Sequence, residues 1–149
     1  MEKHLSYNKS GRSLTERFEG CRLSAYQDVR GIWTIGYGHT SGVHEGMTCT
    51  QEQADRWLQQ DTSFAAEAVN RLVHIQLTQD EFNALVDFVF NLGIGAFQRS
   101  TLLRFLNAGE FVAAAGQFSL WDRAGGKVVA GLLRRRIAER QEFEGGEKI

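Results

Sequence analysis

No proline occurs in the 149 residues, and cysteine occurs only twice. Without proline, helices have to be punctuated by glycine, of which there are 16, and by capping side chains. Two cysteines, Cys21 and Cys49, are too few for a disulfide framework and read as free thiols in a reducing cytosol. Neither CxxC nor HExxH spacing is present, so Cys21, Cys49, His39 and His44 form no recognisable zinc set, and no metal or cofactor is expected. No apolar run reaches the length of a membrane span, and Met1–Ser10, with Glu2, Lys3, His4 and Lys9, does not resemble a signal peptide. The expectation is a chain made in the cytoplasm, with no stable membrane insertion. The net charge of -1 excludes a general polycation, so no nucleic-acid partner is expected. One stretch departs from this balance: Trp121–Arg140 holds six basic side chains (Arg123, Lys127, Arg134, Arg135, Arg136, Arg140) against Asp122 and Glu139. A solvated helix face is the plain reading, and contact with an anionic polymer the functional one.

The length suits one domain, 1–149, expected as a monomer. Ser13-Leu14-Thr15-Glu16 reads as a capping box opening a short helix with Leu14, Phe18 and Cys21 on one face and Gly20 as its stop. Glu19 then falls in the last turn. From Leu23 to His39, β-prone residues surround a turn at Val29-Arg30-Gly31, which predicts a small hairpin, and Thr40–Thr50 reads as loop. Thr50 and Gln53 cap a long amphipathic helix. Thr78 and Glu81 cap a second, which is apolar nearly all round and ends at Gly93. Shorter helices are expected at about Thr101–Leu106, Glu110–Trp121 and Leu132–Phe143. The fold class is therefore α+β, mainly α: a small lobe (13–50), a connecting helix (51–72) and a helical lobe (73–149). Two lobes joined in this way leave a cleft.

Glu19, Asp28 and Thr34 fall in the only β-rich region, at spacings of nine and six. Cleaving a glycosidic bond takes a protonated carboxyl for the leaving oxygen and an ionised one for the water or the sugar cation. A helix C-terminus and apolar neighbours (Phe18, Cys21, Leu23) favour the protonated form of Glu19. Asp28, beside a turn and near Arg30, is expected to stay charged, and Thr34 supplies a hydroxyl to orient a water. A Glu–Asp pair at this spacing is by itself uninformative.

The stretch Glu19-Gly20-Cys21-Arg22-Leu23, Ala25-Tyr26-Gln27-Asp28, Gly31-Ile32-Trp33-Thr34-Ile35-Gly36-Tyr37-Gly38-His39 resembles the active-site region of phage-type lysozymes, glycoside hydrolase family 24. The likeness extends through Phe90-Asn91-Leu92-Gly93 and Gly131-Leu132-Leu133-Arg134-Arg135-Arg136, and is closer to lambdoid phage endolysins than to T-even lysozymes. It implies a two-lobed lysozyme fold and cleavage of the β-1,4 bond between N-acetylmuramic acid and N-acetylglucosamine in bacterial peptidoglycan. It further implies Glu19 as acid, Asp28 as base or stabiliser and Thr34 as water-holder. Phe90, Asn91, Tyr37 and Arg135 are the substrate-binding candidates, with Arg135 also a candidate partner of Glu19. Inversion at the anomeric carbon is expected, with the two carboxyls roughly 6.5–9.5 Å apart. Family enzymes are often phage endolysins, so host-cell lysis by holin-dependent release from the cytoplasm to the wall is the implied biology.

Plainer readings stand beside these. His39 reads as a structural histidine paired with an acid, Trp33 and Tyr37 as core packing, Cys21 as a small buried hydrophobe. A lytic transglycosylase needs only the acid, and a wall-binding module needs neither carboxylate.

Overall fold

The computed structural model describes residues 4–124 and 126–145. Helix α1 (Lys9–Glu19) leads into an antiparallel hairpin, β1 (Arg22–Gln27) and β2 (Trp33–Gly36). Tyr26 pairs with Thr34 and Gln27 with Trp33, and the turn lies between Asp28 and Ile32. The following loop returns along the far edge of β1, where Ala25 N–H donates to the Met47 carbonyl and Cys49 N–H to that of Leu23, both at 2.9 Å. Helix α2 (Gln51–Leu72) then crosses the molecule. Its expected capping box is present, with Thr50 accepting from Gln53 N–H and the Gln53 side chain accepting from Thr50 N–H. Helix α3 (Gln79–Leu92) carries the same device at Thr78 and Glu81 and stops at Gly93. The helices α4 (Ile94–Gln98), α5 (Thr101–Asn107), α6 (Phe111–Ala115) and α7 (Ala130–Phe143) complete the helical part. No helix among the described residues is long and apolar enough to cross a membrane.

The core forms around α3, whose residues from Phe82 to Val89 are all buried. The Phe88 ring meets Phe97, Phe118 and Trp121 edge-on at centroid distances of 6.2, 5.5 and 5.6 Å, the geometry that the aromatic quadrupole favours. Helices α1, α2 and α7 pack directly on α3. The hairpin rests on α2 through a tight turn in which Ile35 and His39 exchange both backbone hydrogen bonds. Gly36 in that turn has φ +63°, and a Cβ there would meet Ala54 Cβ at 3.2 Å, so glycine lets the hairpin seat against the helix. His39 completes the seat. Its Nδ1 lies 2.7 Å from Asp61 Oδ2 and its ring stacks on Trp57 at 4.5 Å, the structural role that its plainer reading assigned.

Three expected boundaries are corrected. Helix α1 is capped by Asn8, not Ser13: Asn8 Oδ1 accepts from Gly11 N–H at 3.1 Å, and Ser13 lies inside the helix. The segment Glu110–Trp121 is not one helix. It divides at Gly116, a poor helix former, into α6 and a 3-10 turn at Phe118–Leu120. Helix α7 starts at Ala130, after a two-residue-stranded hairpin, β3 (Arg123–Ala124) and β4 (Lys127–Val128), too short to leave a periodic signal.

Candidate active site

An open cleft of about 460 Å³, within the roughly 300–1,000 Å³ common for ligand sites, lies between the hairpin and the C-terminal end of α3. Glu19, Asp28, Thr34, Phe90 and Asn91 all line it. So do Tyr26, Arg30, Gly38, His39, Ser41 and Asp61. Tyr37 is not among the lining residues; its hydroxyl accepts from Gln51 Nε2 at 3.1 Å, on the face toward the start of α2. Its assignment as a sugar-binding residue is therefore corrected. Cys21 and Cys49 are free thiols; Cys21 is half-buried rather than a buried hydrophobe, with its Sγ 3.8 Å from Gln51 Oε1.

Glu19 is the last residue of α1, and Gly20 (φ +67°) turns the chain away. The carboxyl is about one-fifth exposed, and Arg135 Nη1 donates to its Oε2 at 2.8 Å. Its surroundings are thus not simply apolar, as the neighbours in sequence suggested. On its other side a Cβ at Gly38 (φ +80°) would stand 2.7 Å from Glu19 Oε1. The Gly36-Tyr37-Gly38 turn therefore brings backbone against the carboxyl at a position that no side chain permits.

Asp28 is held differently. Its Oδ1 accepts from the backbone N–H groups of Arg30 and Ile32 at 2.8 and 2.9 Å, an Asx-type turn. The Ile32 bond, with that from Arg30 and the nearby Arg30 charge, outweighs the opposing desolvation and holds this carboxyl below the usual carboxylate range. Asp28 therefore stays ionised, with Oδ2 directed elsewhere and the nearest cation, Arg30 Nη2, at 4.0 Å. Thr34 is buried and its hydroxyl donates to the Ile32 carbonyl at 2.9 Å. With that proton committed, Oγ1 offers the cleft only lone pairs.

Behind Glu19 lies a buried polar cluster. Arg135 Nε and Nη2 donate to Asp87 Oδ2 and Oδ1 at 2.9 and 2.8 Å. Arg136 is fully buried, with Nε 2.7 Å from Glu139 Oε1 and Nη2 donating to Glu139 Oε2 and Asn91 Oδ1. The arginine run is thus not a solvated face. Of the three, only Arg134 is exposed; Arg135 is buried, does not line this cleft and donates to Glu19, the partner role for which the resemblance also made it a candidate. Burial alone would raise Asp87, but hydrogen bonds from Glu139 and Arg135 hold it down to about 2. Glu139 goes the other way: burial, then its hydrogen bond to Asp87, push it well above the ordinary glutamate value, against the pull of Arg136, which faces both of its oxygens. Asp87 and Glu139 carried no role in the sequence reading. The available signal was a lone carboxylate at Asp87 amid the apolar run Val86-Asp87-Phe88-Val89-Phe90.

Two outcomes follow. Gly38→Ala, which forces a Cβ against a carboxyl already pinned by Arg135, is expected to keep the fold and lower turnover about 10- to 100-fold, read by circular dichroism beside an activity assay. Glu139→Gln is expected to cost less thermal stability at pH 7 than at pH 4, on top of the loss of a buried partner for Arg136 at both. A raised native pKa favours folding fully only below the unfolded value near 4.5, and that contribution declines as pH climbs toward the native one. The variant should therefore compare better with the parent at pH 7 than at pH 4; an equal effect at both would contradict the raised pKa of Glu139.

Comparison with known proteins agrees with this geometry. The phage lysozyme family model matches residues 16–139. The endolysin of Salmonella phage P22 is 42% identical over 144 residues, covering 93% of this chain and 98% of that protein. The endolysin of Bacillus phage B103 is 42% identical over 146 residues, 96% of this chain, and the chain spans 56% of that relative's length. Among solved structures, the muramidase domain of SpmX from Asticaccaulis excentricus superposes with a TM-score of 0.87 at 43% identity, over 96% of this chain and 98% of that one. The two-lobed lysozyme fold expected from the motif is thus the fold observed, and the chain belongs to the phage lysozyme family.

Proposed function

We propose that the chain hydrolyses the β-1,4 bond between N-acetylmuramic acid and N-acetylglucosamine in bacterial peptidoglycan by direct attack of one water, with inversion. Family membership carries the enzyme class, a glycoside hydrolase of the lysozyme type. The residue roles are our reading. Glu19 donates its proton to the leaving glycosidic oxygen, and Arg135 then stabilises the carboxylate that remains. The attacking water gives one hydrogen bond to Asp28 Oδ2 and one to Thr34 Oγ1, and Asp28 receives its proton as the bond to carbon forms.

One observation carries this reading. Asp28 Oδ1 is saturated by two backbone donors and the Thr34 proton is committed to Ile32, so both side chains offer only acceptors to the cleft. Two acceptors match the two hydrogens of a single water, whose lone pair is then left for the sugar. A transglycosylase has no use for such a cradle. Phe90, Asn91 and Tyr26 line the cleft and are proposed to contact the sugar rings.

The chain is proposed to act as one catalytic domain over 1–149, with 13–50, 51–72 and 73–149 as small lobe, connecting helix and helical lobe, and as a monomer. The endolysin names of its relatives support a role in host-cell lysis at the wall. Storage in the host cytoplasm with holin-dependent release fits that role and the lack of a membrane-crossing helix among the described residues.

Glu19→Gln is expected to fold as the parent does and to leave permeabilised Gram-negative cells unlysed; normal clearing by the folded variant removes Glu19 from the acid role. Fragments released by the parent protein should end in reducing N-acetylmuramic acid, whereas 1,6-anhydro ends seen by mass spectrometry would transfer the case to a transglycosylase.

A further inference from the structure

The position of Glu19 is decided by atoms that never meet the substrate. Arg135 directs its three nitrogens two ways: Nε and Nη2 engage both oxygens of Asp87, and Nη1 alone faces Glu19. A guanidinium is planar and rigid, so anchoring two nitrogens fixes the direction of the third. The anchor itself is held fast. Asp87 is fully buried on α3, and its Oδ1 also accepts from Thr15 Oγ1 at 2.8 Å. The Tyr7 hydroxyl lies 2.6 Å from Thr15 Oγ1. As the Thr15 proton goes to the carboxylate, Tyr7 is the donor there, sharing its proton with the Gly11 carbonyl at the same distance. Thr15 and Glu19 lie four residues apart, on one face of α1. Asp87 therefore grips that face twice, directly through Thr15 and through Arg135 at Glu19.

Stability alone does not account for this carboxylate. Buried ion pairs gain little over well-packed apolar side chains of similar volume, and position 87 sits in the stretch of α3 from Phe82 to Val89 that is buried throughout. Direction is what the pair supplies. We propose that Asp87 is a positioning residue for the general acid: by holding Arg135 at two nitrogens it fixes where the Glu19 carboxyl stands in the cleft. When the proton leaves, Nη1 already faces the new carboxylate, so charge develops without rearrangement of the site. The inference rests on the reading of Glu19 as the acid.

The test is turnover on soluble, uncross-linked peptidoglycan strands. Asp87→Asn is expected to lower kcat about 10- to 100-fold in folded protein, with KM nearly unchanged, because the sugar contacts are intact and only the acid is misplaced. Arg135→Lys, which keeps the charge but not the fork, should lose a similar amount. Adding Asp87→Asn to Arg135→Lys should then cost little more, since residues acting through one another do not add. An unchanged kcat in folded Asp87→Asn, or full additivity in the double variant, overturns the proposal. Should Asp87→Asn fail to fold, Thr15→Val replaces it. That variant removes one donor to Asp87 and no charge, and it should lower kcat several-fold at unchanged KM; unaltered kcat would again overturn the proposal. Glu19→Gln is run alongside. Inactive Glu19→Gln with fully active Asp87→Asn rejects only the positioning role, whereas active Glu19→Gln rejects the acid assignment itself.

Discussion

The bidentate contact between Arg135 and Asp87 is the constraint on which the rest of the site depends. It joins α7 to α3 inside the core, and through Thr15 and Glu19 it also fixes the end of α1. A carboxyl at a helix terminus is ordinarily mobile. Here the last residue of α1 is clamped between a guanidinium with no spare freedom and the Gly36-Tyr37-Gly38 turn of the hairpin. The helical part thus sets the acid side of the cleft with buried charges, which a low-dielectric surround makes directional.

The water side is built from backbone. Asp28 and Thr34 take their orientation from the Asp28–Ile32 turn, whose N–H groups and carbonyl use up one oxygen of the aspartate and the proton of the threonine. The same short turn keeps Asp28 charged and makes Thr34 an acceptor. The hairpin is in turn seated on α2 by glycine at position 36 and by His39, which reaches Asp61 and stacks on Trp57. The two sides of the cleft are therefore fixed by different means, core ion pairs on one and turn geometry on the other.

What was legible in the sequence follows from how local each feature is. The boxes at Thr50 and Thr78 involve four adjacent residues, so they could be read directly, and they are present. Ser13 offered an equally good box, but Asn8 took the cap. Its side chain also accepts from Asn83 Nδ2, a contact 75 residues away, and α1 approaches Tyr7 and Asn83 at Gly11 too closely for a Cβ. The cleft set Glu19, Asp28, Thr34, Phe90 and Asn91 was legible through its motif. The resemblance also singled out Arg135, whereas charge patterning alone made Arg134–Arg136 a solvated run. Its burial depends on Asp87, 48 residues back. Tyr37 sits in the motif but points away from the cleft, because alternation along the turn places it over α2.

The central claim, a fixed acid opposite one water held by Asp28 and Thr34, is tested most directly by the anomeric form of the newly released N-acetylmuramic acid. Proton NMR taken within the first turnovers, before mutarotation, reads it. Direct attack by the cradled water predicts the α-anomer, inverted from the β-linked substrate. The β-anomer would mean two displacements through a covalent intermediate, and would contradict the account.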